Sequence, residues 1–220
     1  MNSGLGAGLI LLTAYLLGSI PFAVVVSRAL GLPDPRNFGS GNPGATNVLR
    51  TGSRFAAALT LIGDAGKGAA AVFLCRALGE SLALPETAPA WAGAAAFTGH
   101  LYPVFLRFHG GKGVATFLGT LLALVPLVGF ATCVLWLVVA ALFRYSSAAS
   151  IVSALAASLA LWRIASPAGT TLAVALMSLL LVWRHRRNIL QLLAGTETKI
   201  GQRAASGSSS APSGSSSPPG

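Results

Sequence analysis

Long apolar segments separated by short polar loops leave this chain of 220 residues few possible folds. Residues 114–143 contain no charged side chain, and in the whole chain 9% of residues are charged while 54% are hydrophobic. Soluble domains usually carry about a quarter charged residues. The pattern therefore predicts an all-α integral membrane protein with several spans and argues against a water-soluble enzyme.

The apolar segments predict where the membrane spans lie. Gly18–Pro21 interrupts the first segment and predicts a kink there. Residues 114–143 would be roughly 45 Å long as one helix, against a hydrocarbon core of about 30 Å, so two short spans broken near Pro126 are the alternative. The expected segments are 5–30, 55–75, 90–106, 114–143, 148–163 and 168–183.

The distribution of positive charge favours two spans in 114–143. Seven transmembrane helices, with the N-terminus outside and the C-terminus cytoplasmic, place most basic residues on the cytoplasmic side, whereas six spans would divide them evenly. The fourth span would then have only about 12 residues, so a tilted helix or a re-entrant segment stays open. The residues on the cytoplasmic side are Arg28, Arg36, Arg50, Arg54, Arg107, Lys112, Arg144, Arg184, Arg186, Arg187, Lys199 and Arg203.

The remaining general features fit one membrane domain. The net charge of +10 is explained by the positive-inside rule, so no nucleic-acid partner is expected. Residues 1–7 lack Lys and Arg, which favours a retained first span over a cleaved signal. Cys75 and Cys133 are expected to be inert packing residues, with a disulfide between them as the alternative. We expect a single domain over 1–203 and a disordered Ser/Gly/Pro-rich tail over 204–220.

The polar stretch from Gly39 to Arg50 is the first candidate site. Its glycines permit positive φ and exposed N–H groups, and its short polar side chains and guanidinium could hold an anion such as phosphate. A simple turn between two helices is the other interpretation. The candidate residues are Gly39, Ser40, Gly41, Asn42, Gly44, Thr46, Asn47 and Arg50.

Two further polar segments are predicted to lie on the same face. Gly110, Gly111, Lys112 and Gly113 form a second Gly-rich cationic loop, which is not a Walker A loop because Gly113 stands where Ser or Thr should follow the lysine. The third segment runs from 185 to 197. It could be a basic anchor, but its residues His185, Asn188 and Glu197 indicate a site, and Glu197 could orient a cation.

Several kinds of chemistry have no matching residues. The histidines lack ligand spacing, so no metal is expected. No Gly-x-Ser-x-Gly elbow occurs, and no histidine is followed four residues later by an aspartate. Asp64 with Lys67 is interpreted as a buried ion pair rather than a general base. This inventory favours a reaction between phosphorylated substrates that are already activated for transfer.

The three motifs together resemble those of the bacterial acyl-phosphate:glycerol-3-phosphate acyltransferases of the PlsY type. The resemblance covers nearly all of residues 5–200. Gln191 departs from it, because a basic residue is common there, and Ser150 competes with Ser147 as the matching serine. The matching segments are 34–36, 39–47, 64–68, 99–103, 108–116, 146–147, and residues His185, Asn188, Gly195 and Glu197.

The resemblance implies seven spans in the bacterial inner membrane and a function in the first step of phospholipid synthesis. A fatty acyl group would pass from acyl phosphate to the 1-hydroxyl of glycerol 3-phosphate, giving lysophosphatidic acid and phosphate without a cofactor or metal. The expected partners are these substrates and membrane lipids, and the expected state is a monomer. A transporter for phosphorylated solutes and a structural protein that binds anionic lipids are the rival interpretations.

The resemblance also implies roles for the site residues. Which of the two Gly-rich loops binds the donor phosphate stays open. The expected catalytic residues are Ser40, Asn42, Thr46, Asn47, Lys112 and Asn188, and the expected substrate-binding residues are Gly39, Gly41, Gly44, Arg50, Gly110, Gly111, Gly113, Ser147, His185 and Glu197.

Overall fold

The computed structural model describes residues 3–202, and over that range the chain is helical with no β-strand. The predicted tail at 204–220 lies outside the described residues. Two short 3-10 turns, Leu49–Thr51 and Val104–Leu106, lie in the loops. The helices are α1 (Ser3–Gly18), α2 (Phe22–Ala29), α3 (Ala45–Val48), α4 (Arg54–Gly79), α5 (Ala88–Leu101), α6 (Val114–Leu124), α7 (Pro126–Phe143), α8 (Ser146–Arg163), α9 (Ala168–Arg184) and α10 (Arg186–Leu193).

The predicted interruption of the first apolar segment is confirmed. Helices α1 and α2 meet at an angle of 41° across Ser19–Pro21. Proline cannot donate a backbone hydrogen bond, so the carbonyl groups before it lose helical partners. Lys67 from α4 satisfies one of them, because its Nζ donates to the Ile20 carbonyl oxygen at 2.9 Å.

The apolar stretch 114–143 is likewise two helices that part at Val125 and Pro126, as expected. Helix α6 has 11 residues, which makes it about 16 Å long, or half the thickness of the hydrocarbon core. Its C-terminal carbonyl groups are satisfied by Arg76, whose guanidinium donates to the Ala123 oxygen at 2.7 Å and to the Leu124 oxygen at 3.0 Å.

By length and composition, two single helices within residues 3–202 could cross a membrane, namely α4 and α7. The bent pairs α1–α2 and α9–α10 raise that number to four if each pair is one span. Helices α5, α6 and α8 also lie where the sequence predicts spans but are shorter or more polar. The number of spans and the side on which each terminus lies therefore stay predictions.

Small residues let the helices approach closely. A Cβ at Gly18 of α1 would overlap the Ala96 carbonyl group of α5, and a Cβ at Gly119 of α6 would overlap the Ala65 carbonyl group of α4. Such contacts are typical of helix pairs in membranes. The main apolar core lies between α5, α6, α8 and α9 and is built around Phe97, Leu101, Phe117, Leu121, Ala157, Leu161, Met177 and Leu181.

Asp64 and Lys67 form the predicted buried ion pair. Their side chains are 2–3% exposed and the Lys67 Nζ lies 2.8 Å from the Asp64 carboxylate. His100 of α5 adds a third member, with its Nδ1 3.3 Å from the same carboxylate. The cluster joins α4 to α5 and, through the Ile20 carbonyl oxygen, to the α1–α2 break.

Cys75 and Cys133 are both free thiols, so the disulfide alternative was wrong.

The close contact at Gly119 gives a stability prediction. Gly119→Ala should lower the free energy of unfolding by about 1–3 kcal/mol, because the added methyl group overpacks α6 against α4. Gly66→Ala is the matched control, since a Cβ at Gly66 meets nothing within 4 Å. Thermal unfolding in detergent should show a lower Tm for Gly119→Ala only. Equal Tm values for the two variants would contradict the close packing of α4 and α6.

Candidate active site

Four predicted site residues form one hydrogen-bonded chain at one end of the helix bundle. The Lys112 ammonium donates to the Asn188 Oδ1 at 2.6 Å. The Asn188 Nδ2 donates to both oxygens of Glu197, at 2.8 and 3.0 Å. The Ser147 hydroxyl donates to the Glu197 Oε1 at 2.6 Å. The chain joins the α5–α6 loop, α10, the C-terminal segment and the first turn of α8.

The chemistry of its neighbours determines how Asn188 is oriented. An ammonium can only donate and an ionised carboxylate can only accept. The amide oxygen must therefore face Lys112 and the amide nitrogen must face Glu197. Glu197 was expected to orient a cation, but within the described residues its carboxylate accepts from Asn188 and Ser147 and holds those two side chains together.

The structure also separates Ser147 from its competitor. Ser150 lies one turn further along α8, where its hydroxyl donates to the Ser146 carbonyl oxygen and accepts from the Trp136 Nε1 of α7 at 3.0 Å. It therefore contacts α7 rather than the site. Ser147 is the serine that faces Glu197.

The 39–50 loop lies beside the hydrogen-bonded chain from Lys112 to Ser147. The Thr46 hydroxyl is 3.5 Å from the hydroxyl of Ser146, next to Ser147. Gly39 and Gly41 have φ of +58° and +66°, as the sequence predicts. Gly44 does not: its φ is −151°, an extended conformation open to any residue, so the prediction of a positive φ there was wrong.

The N–H groups of this loop are less available than predicted. Those of Gly41 and Gly44 donate to carbonyl groups within the loop, and the Ser40 N–H donates to the Asn47 Oδ1 at 3.1 Å. Asn47 is buried, and its Nδ2 donates to the Pro35 carbonyl oxygen at 2.7 Å. Asn47 therefore holds the loop in shape. The exposed groups that remain for a ligand are side chains, above all Ser40 and Thr46.

The second Gly-rich loop is held in a similar way. The Gly110 and Gly111 N–H groups donate to the carbonyl oxygens of Leu101 and His100, so these two groups already have partners, and phosphate binding by this loop stays a prediction. Both residues are needed for space, because a Cβ at Gly110 would overlap the His100 carbonyl oxygen and a Cβ at Gly111 would overlap the His100 ring. Gly113 has a φ of +84° and directly precedes α6. Lys112 is the one residue between 110 and 113 that is not glycine, and its side chain is the first member of the hydrogen-bonded chain described above.

Arg184 is a site residue that the sequence analysis missed. Its guanidinium donates to the Gly110 oxygen at 2.8 Å and to the Gly111 oxygen at 2.9 and 3.1 Å. It also lies 5.5 Å from the centre of the Tyr102 ring. In the sequence it is one of several arginines after the last apolar segment, and only its position directly before His185 distinguishes it.

Lys112 and His185 both have a lowered pKa. Burial lowers the pKa of Lys112 to about 8; Glu197 opposes this shift, whereas Arg184 and Arg50 add to it. Burial, together with the charge of Lys112, lowers the pKa of His185 to about 4. The His185 Nδ1 is 2.8 Å from the Leu181 carbonyl oxygen and therefore carries the proton. At neutral pH His185 offers only an acceptor at Nε2 and is a weak base.

Arg50 completes the set of cations around this end of the bundle. Its side chain lies over Gly39, where a Cβ would be 3.1 Å from the Arg50 Cδ. Arg50 and Arg184 both lie close enough to Lys112 for their charges to lower its pKa, so three cations gather at this end of the bundle. Within residues 3–202 no three His, Cys, Asp or Glu side chains form a group that could hold a metal ion.

Proteins of known activity are similar to this chain in sequence and in fold. A family model described as glycerol-3-phosphate acyltransferase matches residues 8–195. The chain belongs to the glycerol-3-phosphate acyltransferase family. It is therefore an acyltransferase of the PlsY type, and the rival interpretations as a transporter or a structural lipid-binding protein are not supported.

Individual relatives agree with the family assignment. The glycerol-3-phosphate acyltransferase of Burkholderia orbicola is 56% identical over 195 residues, covering 87% of this chain and 92% of that protein. The protein of the same name from Burkholderia lata is 57% identical over 194 residues, covering 87% and 90%.

The fold agrees with solved members of the glycerol-3-phosphate acyltransferase family. PlsY (YgiH), described as an integral membrane glycerol 3-phosphate acyltransferase, is similar in its glycerol 3-phosphate form, with a TM-score of 0.82 and 37% identity over 89% of this chain and 96% of that one. In its lysophosphatidic acid form the TM-score is 0.81, with 36% identity over 89% and 95%. The present chain is thus all-helical like an integral membrane member of its family.

The bracing role of Arg184 in this acyltransferase can be tested. Arg184→Met should lower kcat/KM by about tenfold or more, because it leaves two buried carbonyl groups without a donor and loosens the loop that carries Lys112. Arg186→Met is the control, since Arg186 is exposed and stacks on Trp183. Steady-state kinetics on folded protein, checked by thermal unfolding, distinguish them. Equal kcat/KM in both variants would refute the bracing role.

Proposed function

We propose that this acyltransferase moves a fatty acyl group from acyl phosphate to the 1-hydroxyl of glycerol 3-phosphate. The products would be lysophosphatidic acid and inorganic phosphate, and neither coenzyme A nor acyl carrier protein would donate the acyl group. The observation that carries the proposal is the hydrogen-bonded chain Lys112–Asn188–Glu197–Ser147, with Arg50 and two exposed hydroxyls beside it.

The solved relatives support the choice of substrate and product. PlsY is described in a glycerol 3-phosphate form and in a lysophosphatidic acid form, which are the acceptor and the product proposed here. Both forms superpose on this chain with similar TM-scores, 0.82 and 0.81. The acyl phosphate donor is inferred from the sequence motifs of the family.

Phosphate binding would be the task of the cations. Lys112 and Arg50 would neutralise the phosphate of glycerol 3-phosphate, and an arginine with two donors on one edge suits a phosphate group well. Asn188, Ser147 and His185 would orient the glycerol part through hydrogen bonds. The glycines at 39, 41, 110, 111 and 113 would shape the two loops, and Glu197 would hold Asn188 and Ser147 in place.

The exposed side chains of the 39–50 loop would act on the donor. The hydroxyls of Ser40 and Thr46 and the amide of Asn42 could donate to the acyl phosphate as negative charge develops on its carbonyl oxygen. Asn47 would contribute by holding the loop, since its amide groups are already bonded to Ser40 and Pro35. Holding both substrates in one site supplies further rate enhancement.

The chemical step needs no protein nucleophile. The 1-hydroxyl oxygen of glycerol 3-phosphate attacks the carbonyl carbon of the mixed anhydride, and the bond between that carbon and the bridging phosphate oxygen breaks. The hydroxyl proton passes to a phosphate oxygen of one of the two substrates, and the former bridging oxygen leaves as part of inorganic phosphate. His185 is a poor alternative base, because burial lowers its pKa to about 4.

In the membrane, we propose seven spans with the N-terminus outside and the active site on the cytoplasmic face. The bent pair α1–α2 would be one span, and α4 to α9 would provide the other six. The distribution of basic residues supports this topology, and the membrane would be the bacterial inner membrane, whose lipids would contact the site. Residues 1–203 would act as one domain and as a monomer, without a cofactor or metal.

Purified protein with acyl phosphate and labelled glycerol 3-phosphate, and no other cofactor, tests the reaction. Wild type should form lysophosphatidic acid and phosphate in equal amounts. Lys112→Ala should reduce turnover by about 10²-fold or more, in the range seen when one group that stabilises the transition state is lost. Arg187→Ala, an exposed cation one residue from Asn188, should stay near wild type. Folded wild type without product would refute the proposed reaction.

The lowered pKa of Lys112 predicts a pH dependence. The ammonium is the form that binds phosphate, so kcat/KM for glycerol 3-phosphate should fall as the pH rises through about 8. Glycerol 3-phosphate itself is already a dianion there, because its second pKa is about 6. Lys112→Arg should remove this fall, since arginine stays charged. A wild-type profile that is flat from pH 7 to 10 would count against Lys112 as the phosphate-binding cation.

A further inference from the structure

The segment Thr196–Gln202, here the C-terminal strap, lies against the corner between α7 and α8. Two hydrogen bonds join it to Arg144, the residue directly after α7. The Ile200 N–H donates to the Arg144 carbonyl oxygen at 2.7 Å, and the Arg144 Nη2 donates back to the Ile200 carbonyl oxygen at 3.0 Å. Arg144 thus binds both the N–H group and the carbonyl group of Ile200.

Two neighbouring contacts hold the strap at the same corner. The Lys199 ammonium lies 5.7 Å from the centre of the Tyr145 ring. The Ile200 side chain packs on the apolar cluster of α7 and α8 that contains Val139, Ala140 and Ala149. These contacts use apolar burial and a cation–π interaction, so they add to the two hydrogen bonds without competing for the same groups.

The strap carries Glu197 into the site. At its beginning, the Thr196 and Glu197 N–H groups donate to the Gln191 carbonyl oxygen at 2.8 and 3.2 Å. Three residues after Glu197, Ile200 is held by Arg144, and three residues after Arg144, Ser147 donates to the Glu197 carboxylate. Glu197 is therefore fixed from both sides, and without the Arg144 contact the segment after α10 would be free to fray.

The backbone of Arg144 supports a role for its side chain. Arg144 has a φ of +62°, in the left-handed region, where a residue other than glycine costs about 1–2 kcal/mol. Glycine would satisfy the turn at lower cost, and the Arg144 N–H already ends α7 by donating to the Ala140 oxygen at 2.9 Å. The guanidinium is therefore not needed for the turn, and its bond in this structure is to the strap.

We propose that Arg144 is a positioning residue for the acyltransfer reaction. It clamps the strap on the α7–α8 corner and so keeps the Glu197 carboxylate on Asn188 and Ser147, which orient glycerol 3-phosphate. The inference rests on the proposed function, because the role of Glu197 is assigned through that acceptor.

Arg144→Gly tests the clamp, because it removes the side chain and leaves the left-handed turn unstrained. The KM for glycerol 3-phosphate should rise about tenfold, the effect of losing one hydrogen bond from a charged donor, while the KM for acyl phosphate changes less than about twofold. Amide hydrogen exchange over 196–202 should become faster. Arg144→Lys should restore part of the affinity, and Arg163→Ala, a basic residue at the other end of α8, should change neither readout.

Ile200→Ala loosens the same strap through its apolar contact and provides a second test if Arg144→Gly does not fold. It should shift the same KM and the same exchange in the same direction. Faster exchange with an unchanged KM, a raised KM with unchanged exchange, or a fall in kcat alone would each overturn the positioning role. Wild type that forms no lysophosphatidic acid would instead overturn the proposed function, and the exchange measurement would still test the clamp.

Discussion

The fold depends on one constraint, which is that backbone polar groups inside an apolar bundle need partners within the protein. Two apolar segments are interrupted, one at Ser19–Pro21 and one at Val125, and side chains of α4 donate to carbonyl groups at both interruptions. Lys67 donates to the Ile20 carbonyl oxygen, and Arg76 donates to the last carbonyl groups of α6. Helix α4 therefore makes possible both a kinked first segment and a short α6.

The same requirement shapes the active site. The two Gly-rich loops satisfy most of their own backbone groups, with Asn47 holding one loop and Arg184 the other. A loop fixed in this way offers side chains rather than N–H groups to a ligand. In the proposed reaction the chemistry would consequently depend on Lys112, Arg50 and the exposed hydroxyls, while Asn47 and Arg184 hold the two loops in shape.

Much of this could be predicted from particular sequence patterns. Pro21 and Pro126 marked the two breaks because proline cannot continue a helix, and the apolar segments marked the helices. The three polar motifs marked the site because polar residues between apolar spans gather at helix ends. Glycine alone was an ambiguous signal: Gly44 adopts an extended conformation rather than a positive φ, and Gly110 and Gly111 pack so closely against His100 that a Cβ would not fit.

The sequence by itself determined the helical membrane class, the position of both breaks, the family and most of the candidate site residues, because hydropathy and motif spacing are local properties. The tertiary structure decided which atoms meet. Asn188 lies between Lys112 and Glu197, Arg184 braces a loop more than seventy residues away, and Arg144 holds the strap. These contacts join segments far apart in the chain, and a hydrogen bond depends on distances of about 3 Å that no local pattern encodes.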